Sequence, residues 1–137
     1  MKTSRISLMV IVCMFLSVSL VQNVFGQEAA VLEISDAAIC RNVENLTCVD
    51  PGEEFSAQVE RLYCFTRVNG APGDTEITHV WYYGDTERFR INLAVRSTSW
   101  RTYSSKKIQA HETGSWQVEV VDRDGTILKT ISFKIVP

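Results

Sequence analysis

Hydrophobic and polar residues alternate along much of the chain with a period of two. The clearest example is the segment 87–96 (ERFRINLAVR), in which Phe89, Ile91, Leu93 and Val95 alternate with polar or small side chains. This period indicates a β-strand with one buried face, because successive side chains of a strand point to opposite sides. Six further segments are predicted to be strands: 31–43, 55–68, 77–83, 99–107, 115–121 and 126–136.

Turn signals separate these segments at short intervals. They include Pro51-Gly52, Gly84-Asp85 and the sequence DRDG, and no segment shows the 3.6-residue period of an amphipathic helix. About seven short strands with such turns predict an all-β fold, a single antiparallel β-sandwich that is immunoglobulin-like in the loose sense. A small β-barrel is the alternative architecture.

The N-terminal segment has the composition of a targeting sequence. Lys2 and Arg5 precede a short apolar run that ends before a stretch of mixed polarity. This order predicts a signal peptide, residues 1–26, followed by a single domain, residues 27–137. An uncleaved membrane anchor is the alternative, although serines and a glutamine interrupt the apolar run. We therefore expect a periplasmic or secreted protein, or a membrane-anchored one if the segment is retained.

Charge is distributed unevenly over the predicted mature domain. Its formal net charge is −4, because twelve Lys and Arg stand against sixteen Asp and Glu. Residues 27–60 carry −7 and residues 61–107 carry +4. A globally acidic domain without a polybasic run argues against nucleic acid as a partner. The basic middle of the chain still allows binding of an anionic ligand at one place. Membrane contact is expected only through the N-terminal segment.

Three cysteines follow the predicted signal peptide: Cys40, Cys48 and Cys64. Three thiols allow one intramolecular disulfide with one cysteine left over. Cys40–Cys64 and Cys40–Cys48 are both feasible by chain length, and three buried thiols are a further alternative. Cys64 and Trp81 correspond to the cysteine and the core tryptophan of immunoglobulin domains, but the sixth predicted strand has no cysteine to complete that bridge.

Few residues suggest catalysis. His79 lies inside the predicted strand 77–83 on the same side as Trp81, which favours a buried core histidine over a general base. Ser104 and Lys107 match a Ser-x-x-Lys spacing, but three residues apart on a strand they point to opposite faces. We therefore predict no catalytic residue, no metal site and no cofactor.

The basic middle of the chain carries the best candidate for a binding surface. In the segment 99–107 (SWRTYSSKK), a period of two separates solvent-facing basic and tyrosine side chains from Trp100, which faces the core. If this strand pairs with 87–96, its cations lie beside the arginines of that strand and form one surface suited to recognition. An ordinary charged outer face is the alternative. The candidate binding residues are Arg88, Arg90, Arg101, Tyr103 and Lys107.

Four ordered motifs carry a resemblance to a known family: LYCFTRVNGA, ITHVWYYG, SWRTYSSKKI and GSWQVEVVDRDG. They resemble the bacterial domain-of-unknown-function family 2914, over a span from about Ala38 to Ile135. The resemblance implies an exported or membrane-attached domain and brings no established activity, ligand or catalytic residue.

The resemblance also bears on the cysteines. Cys40 and Cys64 match positions of that family, whereas the chain departs from it near Cys48, so the resemblance favours a Cys40–Cys64 disulfide.

These observations together favour a non-catalytic interaction module of the bacterial cell envelope, which binds an envelope protein or glycan through the Arg/Tyr/Lys surface. A structural accessory domain without a small ligand is the first alternative. A hydrolytic enzyme is the second, and it has the weakest support because no dyad is evident in the sequence.

Overall fold

The computed structural model describes residues 32–137, so the predicted signal peptide or anchor, residues 1–26, lies outside the described residues. Nine strands follow one another in the described part of the chain: β1 (Glu33–Glu44), β2 (Thr47–Pro51), β3 (Glu54–Ser56), β4 (Arg61–Asn69), β5 (Thr75–Tyr83), β6 (Thr86–Val95), β7 (Ser99–Lys107), β8 (Gly114–Asp122) and β9 (Ile127–Val136). No helix of the described residues is long and apolar enough to cross a membrane.

The strands form two sheets that pack face to face. The four-stranded sheet has the order β2-β1-β4-β7, and the five-stranded sheet has the order β3-β9-β8-β5-β6. All pairs are antiparallel except the short parallel pair of β3 with β9. The predicted β-sandwich is therefore confirmed, and the barrel alternative is wrong because the strands of 32–137 belong to two separate sheets.

The structure has two more strands than the sequence pattern predicted. β2 lies between the predicted strands 31–43 and 55–68, in a stretch that combines Asp50 and Pro51 with few apolar residues. The predicted strand 55–68 is divided into β3 and β4 by a turn in which Glu60 has a φ of 64°. Both differences arise at sheet edges, where burial on one face is incomplete and alternation is weak.

The core between the sheets consists of two clusters. The larger one is aromatic: the rings of Trp81 and Trp116 each lie about 6 Å from the ring of Phe133, one edge-on and one stacked. The second is aliphatic and includes the fully buried Val68 and Ile77. In this sandwich Cys64 and Trp81 occupy the core as the immunoglobulin comparison predicted, and β8 contributes valines where that comparison would need a second cysteine.

A buried polar junction ties the sheets together. His79 and Trp81 of β5 face Thr66 of β4 and Ser104 of β7, and all four residues are almost inaccessible to solvent. Ser104 Oγ lies 2.7 Å from His79 Nδ1 and accepts a hydrogen bond of 3.0 Å from Trp81 Nε1. His79 Nε2 lies 3.2 Å from Thr66 Oγ1. Both ring nitrogens of His79 therefore have a partner from the opposite sheet.

The disulfide joins Cys40 to Cys48, with Cα atoms 5.6 Å apart, and Cys64 is a free, buried thiol. The expected Cys40–Cys64 disulfide is thus wrong. Ile39 is the residue opposite Cys64, so both point into the core, and Cys40, the next residue along β1, points to the outer face of the sheet. Burial raises the pKa of the Cys64 thiol far above its ordinary value, which keeps this thiol protonated and unreactive.

The hairpin that contains the disulfide has an unusual turn. Asn45 and Leu46 connect β1 to β2, and both have a positive φ, 50° and 54°. Two-residue hairpin turns of this kind favour glycine at the second position, because a side chain there crowds the backbone. Asparagine tolerates the left-handed region, but leucine does not.

Replacing Leu46 with glycine should therefore stabilise the domain. We expect Leu46→Gly to raise the free energy of unfolding by about 1 kcal/mol in urea denaturation. Leu46→Ala removes the same exposed side chain and keeps the Cβ atom, so it should bring no gain. Equal stability of the two variants would contradict a cost of the left-handed backbone at this position.

The junction also predicts how stability depends on pH. Burial lowers the pKa of His79 from 6.5 to about 4, because the protonated ring loses its hydration inside the sandwich. Between these values the unfolded chain binds a proton that the folded chain does not, so stability is complete above pH 6.5 and falls as the pH drops towards 4. The slope in this window should approach about 1.4 kcal/mol per pH unit from His79 alone.

Urea denaturation at pH 5 and pH 7 tests this dependence. His79→Gln stays neutral at both pH values, so the variant should lose the histidine part of the slope and keep the part that the carboxylates contribute. An identical pH slope in the variant and the unchanged protein would contradict the assignment to His79.

Candidate binding surface

The candidate binding residues do not form one surface. β6, which carries Arg88 and Arg90, pairs with β5 at the edge of the five-stranded sheet. β7 pairs with β4 at the edge of the four-stranded sheet. The condition for a single surface, pairing of these two segments, is not met, because each pairs with a strand of its own sheet.

Arg88 leaves the outer face through a β-bulge. Trp81 pairs with Phe89 and Tyr82 pairs with Glu87, so Arg88 is an extra residue in β6. Its guanidinium Nη2 lies 2.8 Å from Glu112 Oε2. Arg88 therefore covers a buried carboxylate instead of standing beside Arg90 as the period of two predicted.

Glu112 is a fully buried acidic residue in the connection between β7 and β8. Its Oε1 accepts a hydrogen bond of 2.8 Å from the backbone N–H of Gln109. Its backbone oxygen accepts one of 2.9 Å from Trp116 Nε1. Oε2 makes no hydrogen bond of good geometry, so its charge is balanced by contact with Arg88. Glu112 and Arg88 thus have a structural role at the open side of the sandwich.

Arg90 remains on the outer face of the five-stranded sheet, where it is already paired. Its Nε and Nη2 donate hydrogen bonds of 3.1 and 2.7 Å to Glu87 Oε1. The charge and hydrogen bonds of Glu87 raise the pKa of the Arg90 guanidinium. This arginine therefore has an acidic partner within its own strand.

The other three candidates share the outer face of the four-stranded sheet. Arg101, Tyr103 and Lys107 are exposed, whereas Trp100 packs against the aliphatic core cluster, as the period of two predicted. The neighbouring strand adds side chains to the same face, because Arg67 pairs with Arg101 and Arg61 pairs with Lys107. We call this surface the basic aromatic face; its residues are Arg61, Tyr63, Arg67, Arg101, Tyr103, Ser105 and Lys107.

Two tyrosines lie in the middle of the basic aromatic face. The rings of Tyr63 and Tyr103 have centroids 6.1 Å apart and a tilt of 55°, and Tyr103 is 41% exposed. Arg61 Nη1 donates a hydrogen bond of 2.8 Å to Ser105 Oγ beside them. The β4 residues of this face were missed in the sequence, although the alternation of Arg61, Tyr63 and Arg67 with buried neighbours marks them as outward-facing.

The cations of this face have no acidic partner in the structure. Among residues 32–137, the ion pairs within 4.0 Å are those of Arg88 with Glu112 and Arg90 with Glu87. The three arginines and the lysine of the basic aromatic face are therefore free of carboxylate contacts within this part of the chain. Such a face attracts negative charge, since it has four cations that no ion pair occupies and one adjacent acidic residue, Asp36, opposite Arg67.

The tip of the β1–β2 hairpin reaches this face. Asp36 pairs with Arg67, and Arg67 pairs with Arg101, so these three residues lie at one level of the sheet. A straight β1 would carry Leu46 roughly 30 Å beyond that level. Arg101 Nη1 nevertheless donates a hydrogen bond of 3.2 Å to the Leu46 carbonyl oxygen. The hairpin must therefore turn back over the outer face of the sheet.

Burial on the outer face agrees with this path. Phe65 is 4% exposed and Cys40 is 0% exposed, although both point away from the core between the sheets. Neither belongs to the two core clusters. A hairpin folded over the sheet accounts for their burial.

The polar junction includes a serine and a histidine at the separation of a nucleophile and its base. Ser104 Oγ and His79 Nδ1 are 2.7 Å apart, but their residues are 4% and 0% exposed. A substrate would have to enter between the packed sheets to reach them, so their hydrogen bonds serve the contact between sheets. The described residues include no group of three or more His, Cys, Asp or Glu that could hold a metal ion.

The different roles of Arg88 and Arg90 can be tested by substitution. Arg88→Ala leaves the buried Glu112 carboxylate without a charge partner and should lower the free energy of unfolding by about 2 kcal/mol, less than for a fully buried pair. Arg90→Ala removes an exposed, solvent-screened pair and should leave the free energy of unfolding nearly unchanged. Adding Glu112→Gln to Arg88→Ala should recover part of the loss, measured by urea denaturation. Equal small losses for both arginines would contradict the structural role of Arg88.

Comparison with known proteins places part of this fold in a family. The family model matches residues 74–135, which run from the start of β5 almost to the end of β9. The match is shorter than the resemblance predicted, and the β1–β2 hairpin and β4 lie outside it. No curated protein matches the chain. The part of the chain from 74 to 135 is therefore similar to the family described as "Protein of unknown function (DUF2914)".

Proposed function

We propose that this protein is a non-catalytic binding module of the cell envelope that recognises an acidic partner through the basic aromatic face. The observation that carries the proposal is a set of four cations that form no ion pair with a described carboxylate, arranged around two tyrosines on one sheet face: Arg61, Arg67, Arg101 and Lys107. The candidate site of the sequence is thereby reduced to its β7 residues and extended by those of β4.

The chemistry of the face suits a ligand with both charge and flat surface. Guanidinium groups form paired hydrogen bonds with carboxylate, sulfate or phosphate groups. Tyr63 and Tyr103 offer ring faces and hydroxyl groups, which provide contact area at a small loss of side-chain freedom. An acidic envelope glycan or an acidic segment of an envelope protein has the matching chemistry.

The proposed location is the periplasm or the exterior of a bacterial cell. The Cys40–Cys48 disulfide is compatible with an oxidising compartment, where such bonds persist. The charged and apolar order of the N-terminal residues supports export as well.

A structural accessory role is the second candidate, favoured by a different observation. β6 and β7 are edge strands, and neither has a pairing partner on its outer side in the described part of the chain. Free edges of this length can add a strand from another protein. In that case backbone hydrogen bonds, rather than the basic aromatic face, would carry the interaction.

The proposal predicts binding to acidic polymers that depends on the basic aromatic face. The oxidised protein should be retained by immobilised heparin and by polygalacturonate but not by neutral dextran, and the affinity should fall with salt. Arg67→Ala with Tyr103→Ala should weaken binding at least tenfold, because it removes one unpaired cation and the exposed ring. The thermal midpoint should change little, since both side chains are exposed.

A matched pair on the other sheet provides the control. Tyr82→Ala with Arg90→Ala also removes a tyrosine and an arginine from an outer face, but there the arginine is paired with Glu87. This variant should bind like the unchanged protein. Equal losses in the two double variants, or retention of neither polymer, would overturn the proposal. Binding of polyglutamate but not of polygalacturonate would assign the face to an acidic protein segment.

A further inference from the structure

We infer that the β1–β2 hairpin is a disulfide-held flap that restricts access to the basic aromatic face and is released when a dithiol reduces Cys40–Cys48. The flap comprises residues 40–51. The inference rests on the proposed function, since it concerns the regulation of the same face. Three separate features of the hairpin support it: its contacts, its backbone and its covalent closure.

The tip of the flap is hydrogen-bonded to Arg101, a side chain that a ligand would use. Arg101 Nη1 donates to the Leu46 carbonyl oxygen at 3.2 Å, so a backbone oxygen takes the place of an acidic ligand at this guanidinium. Phe65 on the same face is buried, as a flap folded over the sheet would require. An open flap would free Arg101 and add the ring of Phe65 to the surface formed by Tyr63 and Tyr103.

Strained backbone is concentrated in the flap. Four non-glycine residues of 32–137 have a positive φ, and three of them, Asn45, Leu46 and Asp50, lie within the flap. Asparagine and aspartate tolerate this region, whereas Leu46 favours a different conformation when it is free to relax. The flap therefore stores part of the free energy that its release would recover.

The flap has few non-covalent contacts with the rest of the domain. At its base the Arg41 guanidinium lies over the ring of Phe55, 5.4 Å from the ring centroid. The residues at its tip, from Glu44 to Thr47, are exposed, and Cys48 and Val49 are half-buried. The tip makes one hydrogen bond to β7, through Arg101. The disulfide constrains the flap covalently and limits the conformations that the open state could adopt.

Opening requires a two-electron reduction by an external dithiol. A thiolate of the reductant attacks the half-buried Cys48 sulfur, the bond between the two cysteine sulfurs breaks, and Cys40 leaves as a thiolate that takes up a proton. The second thiol of the reductant then displaces Cys48, which is protonated in turn, and the reductant is released as its own disulfide. Both protein cysteines end as thiols, and Cys64 takes no part because it lies on the other side of the sheet.

The sandwich should remain folded when the flap opens. The part of β1 before Cys40 pairs with β4 from Glu33 to Ile39, and this pairing does not involve the flap. Neither core cluster contains a residue between Cys40 and Pro51. Reduction is therefore expected to loosen the flap while the five-stranded sheet keeps its packing.

Hydrogen exchange and heparin binding, measured on the same full-chain samples, test the inference. Reduction with dithiothreitol should speed amide exchange at least tenfold in peptides from 41–51 and leave exchange in β8 and β9 unchanged. Heparin affinity should rise severalfold on reduction. Cys40→Ser with Cys48→Ser should behave like the reduced protein and should not respond to dithiothreitol, and Cys64→Ala should respond like the unchanged protein.

Three outcomes would overturn the inference. Unchanged exchange in 41–51 would show that the disulfide does not hold the flap, and equal acceleration in β8 and β9 would show unfolding of the whole domain. Faster flap exchange without a gain in heparin affinity would refute the regulatory role. Absence of heparin binding in both redox states would overturn the proposed function itself, and the exchange data would still show whether the flap opens.

Discussion

The fold depends on the buried junction between β5 and the strands of the opposite sheet. Ser104 accepts from the indole of Trp81 and contacts the ring of His79, whose other nitrogen meets Thr66. Polar groups buried this deeply are stable only when they are paired, so the junction allows one alignment of the two sheets. By positioning Ser104, it also positions β7, and the alternate residues Arg101 and Tyr103 are thereby directed to the outer face.

The bulge in β6 changes the role of Arg88. A regular β6 would place Arg88 beside Arg90, but the extra residue in β6 brings Arg88 to the buried carboxylate of Glu112. Arg90 is left with Glu87. Both arginines of the five-stranded sheet are thus neutralised, and the unpaired positive charge of the basic middle is concentrated on the four-stranded sheet.

The hairpin gives the basic aromatic face two proposed states. In the closed state a strained turn lies over the sheet, and the Leu46 carbonyl oxygen accepts a hydrogen bond from Arg101. The Cys40–Cys48 disulfide resists relaxation of this turn. Binding and redox control would therefore share one residue, Arg101, because its guanidinium serves either the flap or the ligand.

The alternation of residues indicated most of the strands, although not β2 or the break between β3 and β4, and it determined which side chains of β7 face the core, since side-chain direction in a strand is a local property. It also predicted the buried state of His79 and the β-sandwich. The partners of β6 and β7, the bulge at Arg88 and the pairing of Cys40 with Cys48 were decided by the tertiary structure alone. These features depend on contacts between residues distant in sequence, or on the side to which a hairpin folds, and the period of two carries no information about either.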